Sequence, residues 1–183
     1  IQLIKETRQP IAATAKHARR VDYEYESAGT ASIFMFTEPL RGWREATARE
    51  ARTKLDWAQE VARLLEGRYR QCQKITLVCD NLNTHTIGAF YEAFSPARAR
   101  KLVRRIEFCH TPKHGSWLNI AEIELNVLAR QCFCQMIGDV ATLREQVAAW
   151  ESDRNTRQKG VDWQFTTADA RTKLKRLYPR IQN

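Results

Sequence analysis

Polar and apolar residues alternate with period two along Val21-Asp22-Tyr23-Glu24-Tyr25-Glu26, which predicts a strand with one buried face. Ala28-Gly29-Thr30 reads as a turn. Ser32-Ile33-Phe34-Met35-Phe36 reads as a second strand, so the two form a hairpin that Pro39 and Gly42 end. Trp43 to Arg49 adds a third strand. Residues 1–20 are polar and basic, are interrupted by Pro10, and read as a loop or arm.

The period then changes. After Thr53, a good N-cap, Leu55, Ala58, Val61, Ala62 and Leu65 fall on one helical face, and Gly67 closes the helix. Lys74-Ile75-Thr76-Leu77-Val78-Cys79 is nearly continuous and β-branched, the pattern of a strand buried on both faces of a parallel sheet. A helix follows at 86–94. Another starts at Ser95-Pro96, with Ser as N-cap and Pro in the first turn. Arg105 to Cys109 is a further strand. Helices are then expected over Asn119 to Cys132, 139–157 and 167–178, the last with Ala170, Leu174 and Leu177 as its stripe. Strands first, then alternating strand and helix, then helices, make one mixed α/β domain.

Composition narrows this. The 183 residues suit a single domain, and 43% hydrophobic content is enough for a core. No apolar run approaches the ~20 residues that span a bilayer, and the start resembles no signal peptide. The formal charge of +9 favours a polyanionic partner, with a merely soluble basic protein as the rival reading. Five Cys (72, 79, 109, 132 and 134) without a C-x-x-C pattern suit a reducing cytosol and buried small hydrophobes. Their spacing with His110 and His114 fits no common zinc site. The Trp residues at 43, 57, 117, 150 and 163 are expected in the core, with Trp117 nearest the candidate chemistry.

Two segments carry that chemistry. Asp80 ends the buried strand, at the edge where α/β sheets gather ligands. Asn81, Asn83 and His85 follow it, although Asp and Asn also suit an ordinary strand-to-helix turn. Glu122 and Glu124 lie early in the helix after a loop. Carboxylates there also simply complement the helix dipole. Two positions apart they cannot share a face, so one can point at a site while the other faces solvent. A carboxylate at a strand end and one on a later helix can hold two divalent cations that activate a nucleophile and stabilise the leaving oxygen of a phosphodiester. Oxygen ligands suit Mg²⁺ or Mn²⁺.

Asp80-Asn81-Leu82-Asn83-Thr84-His85 resembles the D-N-x-x-x-H segment around the second catalytic Asp of bacterial insertion-sequence transposases of the mariner-type DDE superfamily. Thr111-Pro112-Lys113-His114-Gly115-Ser116-Trp117-Leu118-Asn119-Ile120-Ala121-Glu122 resembles their T-P-x-H-x-S-W-L-N-x-x-E segment, which carries the third carboxylate. The separation of the two is longer than is usual there, and 95–104 can hold the extra length. Gly29-Thr30 and Phe165-Thr166-Thr167 are similar too.

The resemblance implies an RNase H-like mixed sheet flanked by helices, with extra C-terminal helices. It implies Asp80 and Glu122 as ligands of Mg²⁺ or Mn²⁺, and not Glu124. Asn119 would support them by capping the helix or bonding a ligand water. Asn81 and His114 are further supporting candidates, and His85 would orient DNA or a carboxylate unless it only packs or caps. Lys113, Arg98, Lys101 and Arg105 are candidate DNA contacts, with a solvated helix face as the alternative for the last three. Arg171, Lys173, Lys175, Arg176 and Arg180 form a second basic cluster. The partners implied are transposon ends and target DNA, with a second copy of the chain as a candidate. The place implied is the bacterial cytoplasm, at the nucleoid.

That family has its first catalytic Asp on the first core strand, a few residues before the segment matching Gln2-Leu3-Ile4. The expectation is therefore a missing first strand, an incomplete triad, impaired activity, and no helix-turn-helix region. Asp22 and Asp56 are poor substitutes. Either the chain alone is unstable, or residues 1–20 improvise a replacement strand. A non-catalytic DNA-binding or regulatory remnant, and an RNase H-like nuclease, stay open as alternatives.

Overall fold

The computed structural model describes residues 1–8, 11–18, 20, 24–111, 119–133, 136–158, 160–162, 164–173 and 175. Expectations that fall on Val21–Tyr23, Lys113, His114, Trp117, Cys134, Trp163, Leu174, Arg176, Leu177 and Arg180 lie outside these residues.

The start of the chain corrects the expected loop. Gln2–Glu6 is a strand, β1, antiparallel to β2, Tyr25–Thr30. One buried side chain explains it: Leu3 is 2% exposed and joins a core cluster. Ile1 is 41% exposed and Ile4 only half-buried, so the apolar residues of this segment do not mark out one buried face. The expected hairpin between 21–26 and 32–36 is also replaced. β2 begins later and pairs with β1. Ala28-Gly29-Thr30 is strand rather than turn. The register slips between Gln2↔Thr30 and Ile4↔Ser27, leaving one extra residue in β2. Gly29 sits in that bulge at φ 97°, a conformation that glycine adopts without a Cβ penalty.

β3 (Ser32–Glu38) and β4 (Trp43–Arg49) form a seven-pair antiparallel ladder across a 3₁₀ turn at Pro39–Arg41. β5 (Ile75–Cys79) and β6 (Ile106–His110) pair in parallel. Among the described residues the strands thus form three two-stranded ladders. β3 and β5 face each other across a cleft.

α1 (Lys54–Glu66) starts with a reciprocal cap. Thr53 Oγ1 accepts from Asp56 N–H, and the Asp56 carboxylate accepts from Thr53 N–H at 2.8 Å. Of its expected stripe, Leu55 is 39% exposed. α2 is Ile87–Ala93, and α3 is Pro96–Val103 with Ser95 at the N-cap position but no side-chain cap bond. α4 is Ile120–Cys132, α5 Val140–Arg157 and α6 Thr167–Lys173.

β3 distributes its side chains between two cores. Phe34 and Phe36 pack with Trp57, Val61, Leu65, Phe90 and Leu102 of α1–α3, whereas Ile33 and Met35 pack with Leu128, Leu143, Val147 and Trp150 of α4 and α5. Period two puts one helical layer on each side of the strands. α5 also covers the outer edge of β4. Asn155 Oδ1 accepts from Arg44 N–H at 2.9 Å, a Glu151 carboxylate oxygen accepts from Ala46 N–H at 2.8 Å, and Arg144 donates to the Ala48 carbonyl at 3.1 Å. These side chains take the place of a neighbouring strand.

Two further expectations are corrected. β5 is not buried on both faces: Val78 is 55% exposed, because its far side opens on the cleft. Cys79 is buried, but Cys72 and Cys109 are exposed. No described helix is long and apolar enough to cross a membrane.

Candidate active site

The cleft between β3 and β5 has a volume of about 580 Å³. Asp80, His85, Asn119 and Glu122 all line it, together with Arg52 and Trp57. Asp80 arrives at the C-terminal end of β5. Glu122 arrives in the first turn of α4.

Asn119 joins the two elements. Its amide donates to Asp80 Oδ1 at 2.7 Å, while its side-chain oxygen accepts from Ala121 N–H at 3.1 Å and so caps α4. Its main-chain carbonyl accepts from Glu122 N–H at 3.1 Å. Asp80 is thereby held at the N-terminal end of a 13-residue helix, whose dipole favours negative charge.

His85 is fixed on the other flank. Its Nδ1–H donates to the Asp80 carbonyl at 3.2 Å, and its ring stacks on Trp57 with centroids 5.0 Å apart. A carbonyl acceptor requires the proton on Nδ1, which leaves the Nε2 lone pair free in the neutral ring. Burial pulls the imidazole pKa below its ordinary value, and the Asp80 carbonyl and charge oppose this without reversing it. Next to the site, burial and then the Asp80 charge push the Cys79 thiol up to about 11, so it stays protonated.

Other expected residues lie elsewhere. Asn81 is exposed and does not line the cleft, whereas Asn83 does. Arg98 forms a two-pronged ion pair with Glu66 at 3.0 and 2.7 Å, and Lys101 is exposed beyond it on α3. Arg105 donates to the carbonyls of Leu65, Tyr69 and Cys72, so its fork closes the end of α1. None of these three lines the cleft. Lys113 and His114 lie outside the described residues.

Sequence reasoning missed Arg52, the basic side chain among the described lining residues. It also misplaced Glu124. That carboxylate does not face solvent: it is 5% exposed and lies between the guanidinium groups of Arg44 and Arg154. The partners come from β4 and α5, far away in sequence, so no local pattern announces them.

Asp80 and Glu122 offer oxygen donors of the kind Mg²⁺ takes. No described cluster gathers three or more acidic, His or Cys ligands. A Mg²⁺ that keeps several waters and is held by one or two carboxylates plus substrate phosphates fits such a donor set.

The family model described as DDE superfamily endonuclease matches residues 2–144, well over half of the chain. No curated protein and no solved structure matches it. The matched span contains both cleft carboxylates and the asparagine between them, and the chain belongs to the DDE superfamily endonucleases.

Proposed function

We propose that this chain is the catalytic region of a DNA transposase of the mariner-type insertion-sequence group, in which Asp80 and Glu122 hold Mg²⁺ or Mn²⁺. The observation that carries the reading is Asn119, which bonds Asp80 through its amide and caps the helix of Glu122 through its oxygen. Divalent ions held there supply activation of the attacking oxygen and stabilisation of the leaving one.

The residues themselves bind and orient. Asp80 and Glu122 present oxygens to one cleft, and Asn119 fixes their relation. His85 keeps the turn after β5 in place through the Asp80 carbonyl. Arg52 offers a cation to a phosphate at the mouth. The reaction is cleavage of a phosphodiester by water at a transposon end, followed by attack of the freed 3′ hydroxyl on target DNA. No covalent enzyme intermediate is required.

An RNase H-like sheet is the architecture this reading implies. Its support is the cleft itself. Ile1 and Ala31 exchange two main-chain bonds, at 2.7 and 2.9 Å, so the β1 line points along β3 into the gap beside β5. The partners of the reading are DNA and a second copy of the chain, at the bacterial nucleoid.

The test is cleavage of a labelled duplex with transposon ends in Mg²⁺ or Mn²⁺, by this chain and by one extended upstream. Metal-dependent nicking lost in both Asp80→Asn and Glu122→Gln supports the reading. DNA binding without nicking in either length favours a regulatory remnant, and cleavage of RNA–DNA hybrids regardless of ends favours an RNase H-like nuclease.

A further inference from the structure

α4 carries two carboxylates with opposite fates. At 100° per residue, Glu122 and Glu124 are about 200° apart around the helix. Ala121, Glu122 and Leu125 line the cleft. Glu124, Leu128 and Gln131 form the contrary stripe, facing β4 and α5. Leu128 is 0% exposed, and Gln131 accepts from Trp150 Nε1 at 2.8 Å.

At the head of that stripe Glu124 is gripped from two sides. Arg44 of β4 lies with Nε 2.9 Å from one carboxylate oxygen and Nη2 3.4 Å from the other, and Arg154 of α5 reaches both oxygens at 3.1 and 3.3 Å. Arg44 is 3% exposed. It is tied further through its guanidinium to the Gly42 and Arg154 carbonyls, both at 3.1 Å, and through its backbone to Asn155 at 2.9 and 2.7 Å. Arg154 and Asn155 both lie beyond the matched span 2–144. Two guanidinium groups brought to one carboxylate from different elements constrain its direction as well as its distance.

We propose that Glu124 is a positioning residue: the buried Arg44–Glu124–Arg154 cluster sets the rotation of α4, and thereby aims Glu122 into the cleft. On this inference α5 is part of the active-site support rather than an appendage. The inference rests on the metal-binding reading of Asp80 and Glu122. A buried ion cluster is a weak source of net stability but a strong constraint on geometry, and groups that orient metal ligands typically change metal affinity ~10–100-fold when removed.

The experiment is Mn²⁺ titration of the full chain, followed by the electron paramagnetic resonance of free Mn²⁺, with folding followed by circular dichroism. The variants are Glu124→Gln and the double variant Glu124→Gln/Arg44→Met. Glu124→Gln leaves the guanidinium groups of Arg44 and Arg154 without their shared counter-charge and melts early. The double variant removes the more deeply buried of the two and melts later than Glu124→Gln. Positioning requires that the folded double variant still bind Mn²⁺ at least ~10-fold more weakly than the parent. Affinity within about twofold of the parent, in that folded variant, would make the cluster merely structural and overturn the proposal. Asp80→Asn separates the two levels. If it abolishes Mn²⁺ binding while the double variant retains it, only the positioning proposal fails. If Asp80→Asn also retains it, the site reading fails and the proposal with it.

Discussion

The Asn119 amide donates to Asp80 Oδ1 at 2.7 Å, so the residue that starts α4 also holds the acid at the end of β5. Asn119→Ala removes both the link and the cap. We expect metal affinity to fall ~10–100-fold and stability to fall by ~1 kcal/mol. Asn119→Asp keeps a capping oxygen but sets a carboxylate against Asp80. Melting of the metal-free chain should then show that Asn119→Asp keeps the cap but loses stability to like-charge repulsion with Asp80, a loss that added salt reduces.

Arg52 and Arg105 are expected to separate cleanly. Arg52→Ala should weaken DNA binding and reduce the slope of log affinity against log salt by ~1, the signature of one phosphate contact. Arg105→Ala should leave that slope unchanged and cost ~2 kcal/mol in chemical denaturation, because its charged donors satisfy carbonyls at the end of α1. A loss of DNA affinity without destabilisation in Arg105→Ala would restore it to the DNA face.

His85 gives a pH dependence in the metal-free chain. Burial holds its folded pKa below the ordinary 6.5. Between that folded value and 6.5 the unfolded chain binds more protons, so stability rises with pH across this window and is lost on acidification through it. Chemical denaturation of parent and His85→Gln across mildly acidic pH should show the extra loss only in the parent. Ring-nitrogen NMR should show Nδ1 protonated at neutral pH.

Val78 tests the openness of the cleft. In the 183-residue chain Val78→Thr should change stability by less than ~0.5 kcal/mol, as at a surface position. The same chain should bind an apolar dye at the cleft. A cost above ~1 kcal/mol would mean that β5 is covered on this side in solution.

Much of this was legible in the sequence where signals are local. Thr53 just before α1, the strand ending at Asp80, and Asn119 just before Glu122 each sit within a few residues of what they organise, whereas the return bond of Asp56 to Thr53 went unread. β1 was not legible, because Leu3 alone marks its buried face. The Gly29 bulge was read as a turn, since a glycine at positive φ serves either. The grip on Glu124 joins residues 80 apart from β4 and 30 apart from α5, and the Arg105 fork reaches back 40 positions to Leu65. Such partners depend on how the layers stack, which neither period nor capping pattern encodes. The apolar run at Ser32–Phe36 marked a strand, but not that its side chains feed two cores. The exposure of β5 was not legible either, because a continuous apolar run looks alike whether or not a second neighbour pairs with it.

The most direct measurement replaces the divalent ion by Fe²⁺ and maps where radical chemistry at the bound iron cuts the backbone. Asp80 and Glu122 sharing one ion requires cuts at two places far apart in sequence, around 80 and around 119–122, both lost together in Asp80→Asn and in Glu122→Gln. Cuts at only one of these places, or at both but surviving either substitution, would contradict it.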